Sequence, residues 1–462
     1  MPRYPWTADS QGRNRCHRNG DLRHVQLWRN GGRSIRAAFT TLGCKVNQDE
    51  TAGMQILFER AGFQIVDFKD QADVYIVNTC TVTHLGSRKS RQLLRQARRR
   101  NPDALVVAAG CYPQVAWEEL DQLKEVDLIV GNSHKAELVS LVQSALTGAG
   151  KRVLVEEPED FCDLPVSITT SRHRATLKIQ EGCQRYCTYC IVPRARGRLR
   201  SMPQETIIAK ARELVESGFK EIVLTGINLT SYGREREGAG NLASVINALA
   251  PRIEGARIRI SSVEPTDFTS ELIRAIQDNV NVCRDFHIPL QSGSNSVLQR
   301  MGRKYSAEDF LALTETLKEQ FDLPSFSTDV IVGFPGESNA EFEETMDLVR
   351  RVGFSRLHVF RFSPRPGTPA AAYTGQVTPQ IAARRSSQLI KMGEELAAQY
   401  ARSLIGYQEE LLLEEASPLG HGFIGYGERY MRIHCASREQ PGSLIEVRIV
   451  GSSGAELLAR QV

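Results

Sequence analysis

Short apolar runs alternate with longer amphipathic stretches along most of this chain. From Arg36 to about Ala149 the runs Ala37–Thr41, Val74–Asn78, Leu105–Ala109 and Leu128–Val130 predict strands. Gln48–Ala61, Arg88–Arg100 and Lys135–Ala145 predict the helices among them. Strands and helices that alternate at this length argue a doubly wound parallel sheet. From about Arg172 to Met392 the alternation resumes. Its strands are Ala175–Gln180, Glu221–Thr225, Arg257–Ser261, Asp285–Ile288, Ser325–Val332 and Arg356–Phe360, with helices including Thr206–Glu216, Ala307–Gln320 and Ala340–Arg350. Six such units are too few for a closed eight-stranded barrel, so a partial (β/α)6 barrel with a side opening is expected. From about Arg402 the pattern becomes β-rich over Glu409–Glu414, Tyr430–Ile433 and Leu444–Val450, with turns in GHGFIGYGERY and EQPGS. The expected class is α/β with a small C-terminal β-barrel.

Residues 1–34 carry Pro, Gly, Asn and Arg without periodicity and predict a disordered leader. The chain thus divides into residues 1–34, 35–150, 170–398 and 401–462. Hydrophobic residues make up 41% and charged residues 24%, the balance of a globular protein in water. No apolar run approaches the roughly 18 residues of a membrane span, and Met1–Arg36 lacks the apolar core of a signal peptide. Ten cysteines without such a signal point to a reducing, cytoplasmic setting and to metal chemistry rather than disulfides. A net charge of +4 favours a nucleic-acid partner only weakly. The distribution of charge matters more, and Arg88–Arg100 holds seven basic residues that could meet phosphates or form a solvated face.

The stretch EGCQRYCTYCIVPRARG sets Cys183, Cys187 and Cys190 in a C-x₃-C-x₂-C array. An iron–sulfur cubane takes four ligands. Three local thiolates leave one iron open to a small chelating molecule. The alternative is a zinc loop, which needs a fourth ligand; the nearest histidine is His173. Cys44 in TLGCKVNQ, Cys80 in NTCTVT and Cys111 in AGCYPQ each follow a predicted parallel strand. The carboxyl ends of such strands face one crevice, so the three can converge; buried free cysteines are the other reading. Gly43 and Gly110 suit tight turns beside them. Cys16 and His17 are incidental, and Cys162, Cys283 and Cys435 match no motif. Polar residues gather at the ends of the later strands: Gly226, Asn228, Ser261, Ser262, Glu264, His287, Gln291 and Asp329.

The array at Cys183, with Tyr189 before its third cysteine, resembles the cluster motif of the radical SAM enzymes. Taken with TLGCKVNQ, NTCTVT and AGCYPQ, the chain resembles the methylthiotransferase family of these enzymes over residues 36–462. The resemblance implies two 4Fe-4S clusters, a SAM-chelating one on Cys183, Cys187 and Cys190 and an auxiliary one on Cys44, Cys80 and Cys111. It implies S-adenosyl-L-methionine as cofactor, with Tyr189, Gly226, Asn228, Ser262, Glu264 and Gln291 in or near its site, and a separate electron donor. The implied chemistry is radical C–H activation, sulfur insertion and methylation. The tail resembles the TRAM domain, an RNA-binding barrel, with Tyr426, Arg429, Tyr430 and Arg432 as candidate contacts. TLGCKVNQ and RISSVEP resemble the branch that converts N6-threonylcarbamoyladenosine at position 37 of tRNA to its 2-methylthio derivative. The alternatives are the isopentenyladenosine branch, which tends to read GCQMN, and the ribosomal-protein aspartate branch, which reads GCPKN. A non-catalytic iron–sulfur RNA-binding protein is the reading from a different class.

Overall fold

Six short parallel strands begin the fold: β1 (Arg36–Thr41), β2 (Gln64–Val66), β3 (Val74–Thr79), β4 (Leu105–Gly110), β5 (Leu128–Val130) and β6 (Arg152–Leu154). Their order is β2-β1-β3-β4-β5-β6. The computed structural model describes residues 29–30, 33–148, 152–167, 173–418 and 422–462. Cys16, His17 and the leader up to residue 28 lie outside the described residues. All six residues of β3 are buried, because the sheet is covered on both faces. Phe39, Ile76, Val107 and Val130 pack with Met54 and Phe58 on one side. Tyr75, Val77, Val106 and Ile129 pack with Leu94 and Leu120 on the other. The intervening helices are α1 (Lys45–Arg60), α2 (His84–Arg100), α3 (Cys111–Asp121) and α4 (Leu138–Leu146). The periodicity did not reveal β2 and β6, which are three-residue edge strands, or α3. A 3-10 turn over Asn132–Glu137 replaces the start of the helix expected from Lys135.

The central region has six parallel strands in chain order: β7 (Arg174–Glu181), β9 (Glu221–Gly226), β10 (Arg257–Ile260), β11 (Asp285–His287), β12 (Ser325–Val332) and β13 (Arg356–Arg361). A two-residue strand, β8 (Arg200–Ser201), pairs antiparallel on the edge of β7. Between β10 and β11 the ladder shrinks to a single bridge, Ile258 with Val282. The outer face of these strands builds the main core with the surrounding helices. The long helix Pro379–Ser403 lies on β13 and leads into the last unit.

That unit is a closed five-stranded barrel in the order β14-β15-β16-β18-β17. The strands are β14 (Gln408–Ala416), β15 (Phe423–Tyr426), β16 (Arg432–Ala436), β17 (Leu444–Ser453) and β18 (Glu456–Gln461). Two expectations need correction. GHGFIGYGERY is not all turn but contains β15, and the strand expected from Tyr430 starts at Arg432. Tyr430 itself is left-handed, with φ of 58°.

The barrel docks through buried arginines of the core. Arg257 donates to the carbonyls of Glu410 (2.6 Å) and Tyr426 (2.7 Å), and Arg259 to those of Glu428 and Gly427 (both 2.9 Å). Glu221 pairs with both guanidiniums, at 2.8 Å from Arg257 and 2.7 Å from Arg259, and Asp285 adds a second carboxylate 3.3 Å from Arg259. From the barrel side, Arg429 donates to the carbonyls of Leu323 and Asp322 and pairs with Glu409.

Candidate functional site

Three tight turns set the first group of thiols. Gly43 has φ of +107°, and a Cβ on it would lie 3.0 Å from Cys80 Cβ. Gly110 has φ of +100°, and a Cβ there would meet Asn78 Oδ1 at 2.4 Å. Only glycine fits both places. Cys44 then caps α1, Cys80 leaves β3 and Cys111 opens α3. Asn47 ties the turns together, donating to the carbonyls of Leu42 (2.7 Å) and Thr79 (3.0 Å). Burial pushes the Cys80 thiol up to about 11, and Cys111 and Cys44 add to the shift. Cys44 is raised by burial as well, against the pull of Arg196.

The second group hangs from the end of β7. Gly182, with φ of +76°, lets the chain pass so close to Arg198 that a Cβ would be 1.7 Å from its carbonyl oxygen. Cys190 N–H donates to the Cys187 carbonyl at 3.0 Å, and Thr188 is pinned to the carbonyls of Met301 (2.9 Å) and Arg300 (2.8 Å). Burial pushes Cys190 up to about 12, with Cys187 and Cys183 contributing. Two sets of three crowded thiols, of which Cys44, Cys80, Cys183 and Cys190 are raised above the usual thiol range, are suited to a metal group, which releases their protons on binding.

Each set also receives a guanidinium, and the sequence reading passed over both. Arg196 Nε donates to Cys111 Sγ at 3.3 Å, and Arg303 Nη1 to Cys187 Sγ at 3.3 Å. Longer contacts come from Asn132 to Cys111 (3.8 Å) and from Asn228 to Cys183 (3.9 Å). Arg196 lies in the CIVPRARG segment just after Cys190, so the loop of the second group reaches the first group through this side chain. It also pairs with Glu50 at 2.5 Å and bonds Asn47. Glu50 and Glu181 are shared among Lys135, Lys178, Arg196 and Arg200, all buried. Four cations face these two carboxylates and the neighbouring Asp49, whose carboxyl burial pushes up to about 7, so positive charge remains in excess beside the thiols, which fits a thiolate-bound group. Burial pushes the Glu50 carboxyl up, but Arg196, Lys135 and Lys178 overcome it and hold it well below the usual range.

The residues expected around the cofactor take different places. Tyr189 is half-buried against Val297, Met301, Phe334 and Ala370. The backbone N–H of Asn228 donates to Gln180 Oε1 at 2.7 Å, and its side-chain amide turns toward Cys183. Glu264 pairs with Arg303, beside Cys187. Gln291 is buried and left-handed, with φ of 66°, the strained backbone that functional sites often hold. Ser262 is half-buried in the loop after β10. Gly226 faces Gln180, where a Cβ would sit at 2.9 Å, so its role is close packing. On the inner face of β11–β13, His287, Asp329 and His358 bring ligand atoms within 4.8 Å of one another. Burial raises the Asp329 carboxyl, yet hydrogen bonds from His287 and His358 win and hold it far below its usual range.

The RNA candidates of the barrel need correction. Arg429 is buried in the docking contact, and Tyr426 and Tyr430 stack at 4.9 Å against Arg174. Arg432 is paired with Glu456 and Glu415. Exposed cations on this unit lie elsewhere: Arg438 in the turn after β16, and Arg448 and Arg460, which stand directly opposite each other on β17 and β18. On α2, Arg91, Arg95 and Arg98 are ion-paired and Arg100 covers Phe68, which leaves Arg88, Lys89 and Arg99 exposed. Cys283 and Cys435 are buried, and Cys162 packs under the first sheet.

An open six-unit β/α barrel with three thiols at the end of its first strand defines the class. Residues 177–349 match the model of the radical SAM superfamily, and residues 36–131 match Uncharacterized protein family UPF0004. The fold is similar to the cobalamin-binding radical S-adenosylmethionine methyltransferase TsrM of Kitasatospora setae, with TM-score 0.56, 14% identity, 73% of this chain and 77% of that one. Among curated proteins, the chain is 40% identical to the threonylcarbamoyladenosine tRNA methylthiotransferase MtaB of Bacillus subtilis over 89% of this chain and 93% of that one. It is 38% identical to the MtaB of Aquifex aeolicus, over 90% and 100%. It is 37% identical to the tRNA-2-methylthio-N(6)-dimethylallyladenosine synthase of Moorella thermoacetica, over 82% and 86%. The chain belongs to the methylthiotransferase family of radical SAM enzymes. The family's cofactors are S-adenosyl-L-methionine and 4Fe-4S clusters. No helix of the described residues is long and apolar enough to cross a membrane.

Proposed function

We propose that this enzyme converts N6-threonylcarbamoyladenosine at position 37 of tRNA to its 2-methylthio derivative, in the cytoplasm and with an external one-electron donor. The observation that carries the reading is the presence of two three-thiol sets, with the segment that follows Cys190 reaching Cys111 of the other set through the buried Arg196. The substrate is supported by the relatives of that name at 40% and 38% identity. Cys183, Cys187 and Cys190 would hold the SAM-chelating cluster, and Cys44, Cys80 and Cys111 the auxiliary one. Bound, these groups and S-adenosyl-L-methionine supply the radical, the sulfur and the methyl group. The protein's part is placement. Arg303 and Arg196 donate N–H to one thiolate of each set and offset its charge. Glu264 holds Arg303 in place, while Asn228 and Gln291 order the strand ends around the cofactor. Residues 35–150 bring the second thiol set to the barrel, and residues 401–462 add an RNA-binding barrel through Arg448 and Arg460. Like charges opposite each other are unfavourable in a free sheet and favourable under a polyanion.

Nucleoside mass spectrometry of tRNA from cells with and without the gene tests the reading. Loss of 2-methylthio-N6-threonylcarbamoyladenosine, with its unthiolated parent accumulating, is the expected outcome. Loss of the methylthio-isopentenyl nucleoside instead would move the enzyme to the other branch.

A further inference from the structure

Lys45 follows Cys44 and is the first residue of α1. Its ammonium lies 5.9 Å from the centre of the Tyr430 ring. The same ring is 5.1 Å from the guanidinium carbon of Arg174, on the first barrel strand, and 4.7 Å from that of Arg356, on the last. Tyr430 therefore touches the first and last barrel strands, and through Arg259 the third, and Lys45 reaches its ring from beside the auxiliary thiols. The surrounding cations are unequal. Arg174 has Glu414 at 2.6 Å, and Arg259, 4.6 Å from the ring, has Glu221 at 2.7 Å. Among the described residues, no carboxylate pairs with Lys45 and no acceptor hydrogen-bonds it. Lys45 is exposed, and the first turn of α1 has no acidic side chain.

A cation set among guanidiniums, on which Asp285 acts only from beyond ion-pair distance, favours the entry of an anion. The threonyl group of the substrate carries one: its nitrogen is acylated, and its carboxylate is free. We infer that Lys45 is a specificity residue whose ammonium binds this carboxylate through a charge-assisted hydrogen bond. The inference rests on the threonylcarbamoyl reading above. It distinguishes the substrate from an adenosine with a neutral isopentenyl group, which gains nothing from an ammonium at this place. The carboxylate lies on the side chain of the same base that must meet the auxiliary thiols, so a lysine adjacent to Cys44 is well placed for it.

The test compares anticodon stem-loops carrying threonylcarbamoyladenosine or its carboxamide counterpart, bound to anaerobically reconstituted full-length enzyme. Wild type should bind the carboxylate RNA about tenfold more tightly, the value of one such bond. Lys45→Gln should bind both RNAs alike, with carboxamide affinity unchanged, and Lys45→Arg should keep the preference. Iron and sulfide are measured on each protein to show that both clusters are retained. A Lys45→Gln enzyme that keeps the tenfold preference overturns the inference. Equal weakening of both RNAs also overturns it, because Lys45 would then contact a backbone phosphate. The substrate reading fails separately: a wild-type enzyme that methylthiolates the isopentenyl stem-loop and not the threonylcarbamoyl one would refute it, whatever Lys45 does.

Discussion

Glu50 and Glu221 are two fully buried carboxylates, each at the centre of a cluster of cations, and each at a junction between units. They do different work. Around Glu221, the spare N–H groups of Arg257 and Arg259 end on carbonyls of the C-terminal barrel. Asp285, 3.3 Å from Arg259, and Glu410, 3.6 Å from Arg257, complete the balance with Glu221, so the charges close on themselves and this junction is a docking contact. Around Glu50, Arg196 has one N–H left over, and it points at Cys111 Sγ. That junction has more cations than carboxylates and therefore expects a further negative group. The lesson is that a buried ion cluster reads as glue or as part of a site according to where its last donors go.

The comparison can be broken most strongly by removing a carboxylate. Glu221→Leu takes the shared carboxylate from two buried guanidiniums, leaving Arg259 only Asp285 and Arg257 only the half-exposed Glu410, and should cost about 3–5 kcal/mol in thermal or denaturant unfolding. Limited proteolysis should then release the C-terminal barrel, while iron per molecule of folded protein stays the same. Glu50→Gln should cost a similar amount and also lower the iron content. Arg196→Met sharpens the difference at smaller cost to folding: it should weaken the auxiliary cluster by about 10–100-fold in iron affinity, seen as faster loss of iron to a chelator. The same loss of affinity should be absent in Arg257→Met.

Acid should open both junctions. Burial raises each carboxyl, and the surrounding cations reverse that and hold both below the ordinary value of 4.5. The stability they supply is complete above that value, and it is lost as the pH falls through the lower folded values. A chain with Glu221→Gln should therefore show a shallower loss of stability on acidification than wild type. The smallest effect belongs to the RNA surface. Arg448→Gln or Arg460→Gln should leave stability within about 0.5 kcal/mol and reduce the salt dependence of tRNA binding by about one ion each. Arg429→Gln should instead destabilise docking, since that side chain is buried against Glu409.

Legibility followed the length and regularity of each pattern. Ser325–Val332 and Ala307–Gln320 have the ends that periodicity predicts, because a buried strand and an amphipathic helix write their period directly. Gln64–Val66 and Arg152–Leu154 have three residues each, too few for a period. The aromatic and basic residues of GYGERY look like an RNA surface in the sequence, and the fold turns them inward against Arg174 and Glu409. Arg196 stood in the quoted motif but had no visible partner, since Cys111 is 85 positions away.

The sequence alone determined the alternation of strands and helices, the order of the three units, and two sets of three cysteines at strand ends. These are local properties: period, turn chemistry and spacing along one chain. Tertiary structure alone decided which charges are compensated. Arg196 against Cys111, Glu221 between two arginines, and Lys45 left without a carboxylate all depend on distances across units. Electrostatic energy depends on separation and burial in space, and neither is written in the spacing of residues along the chain.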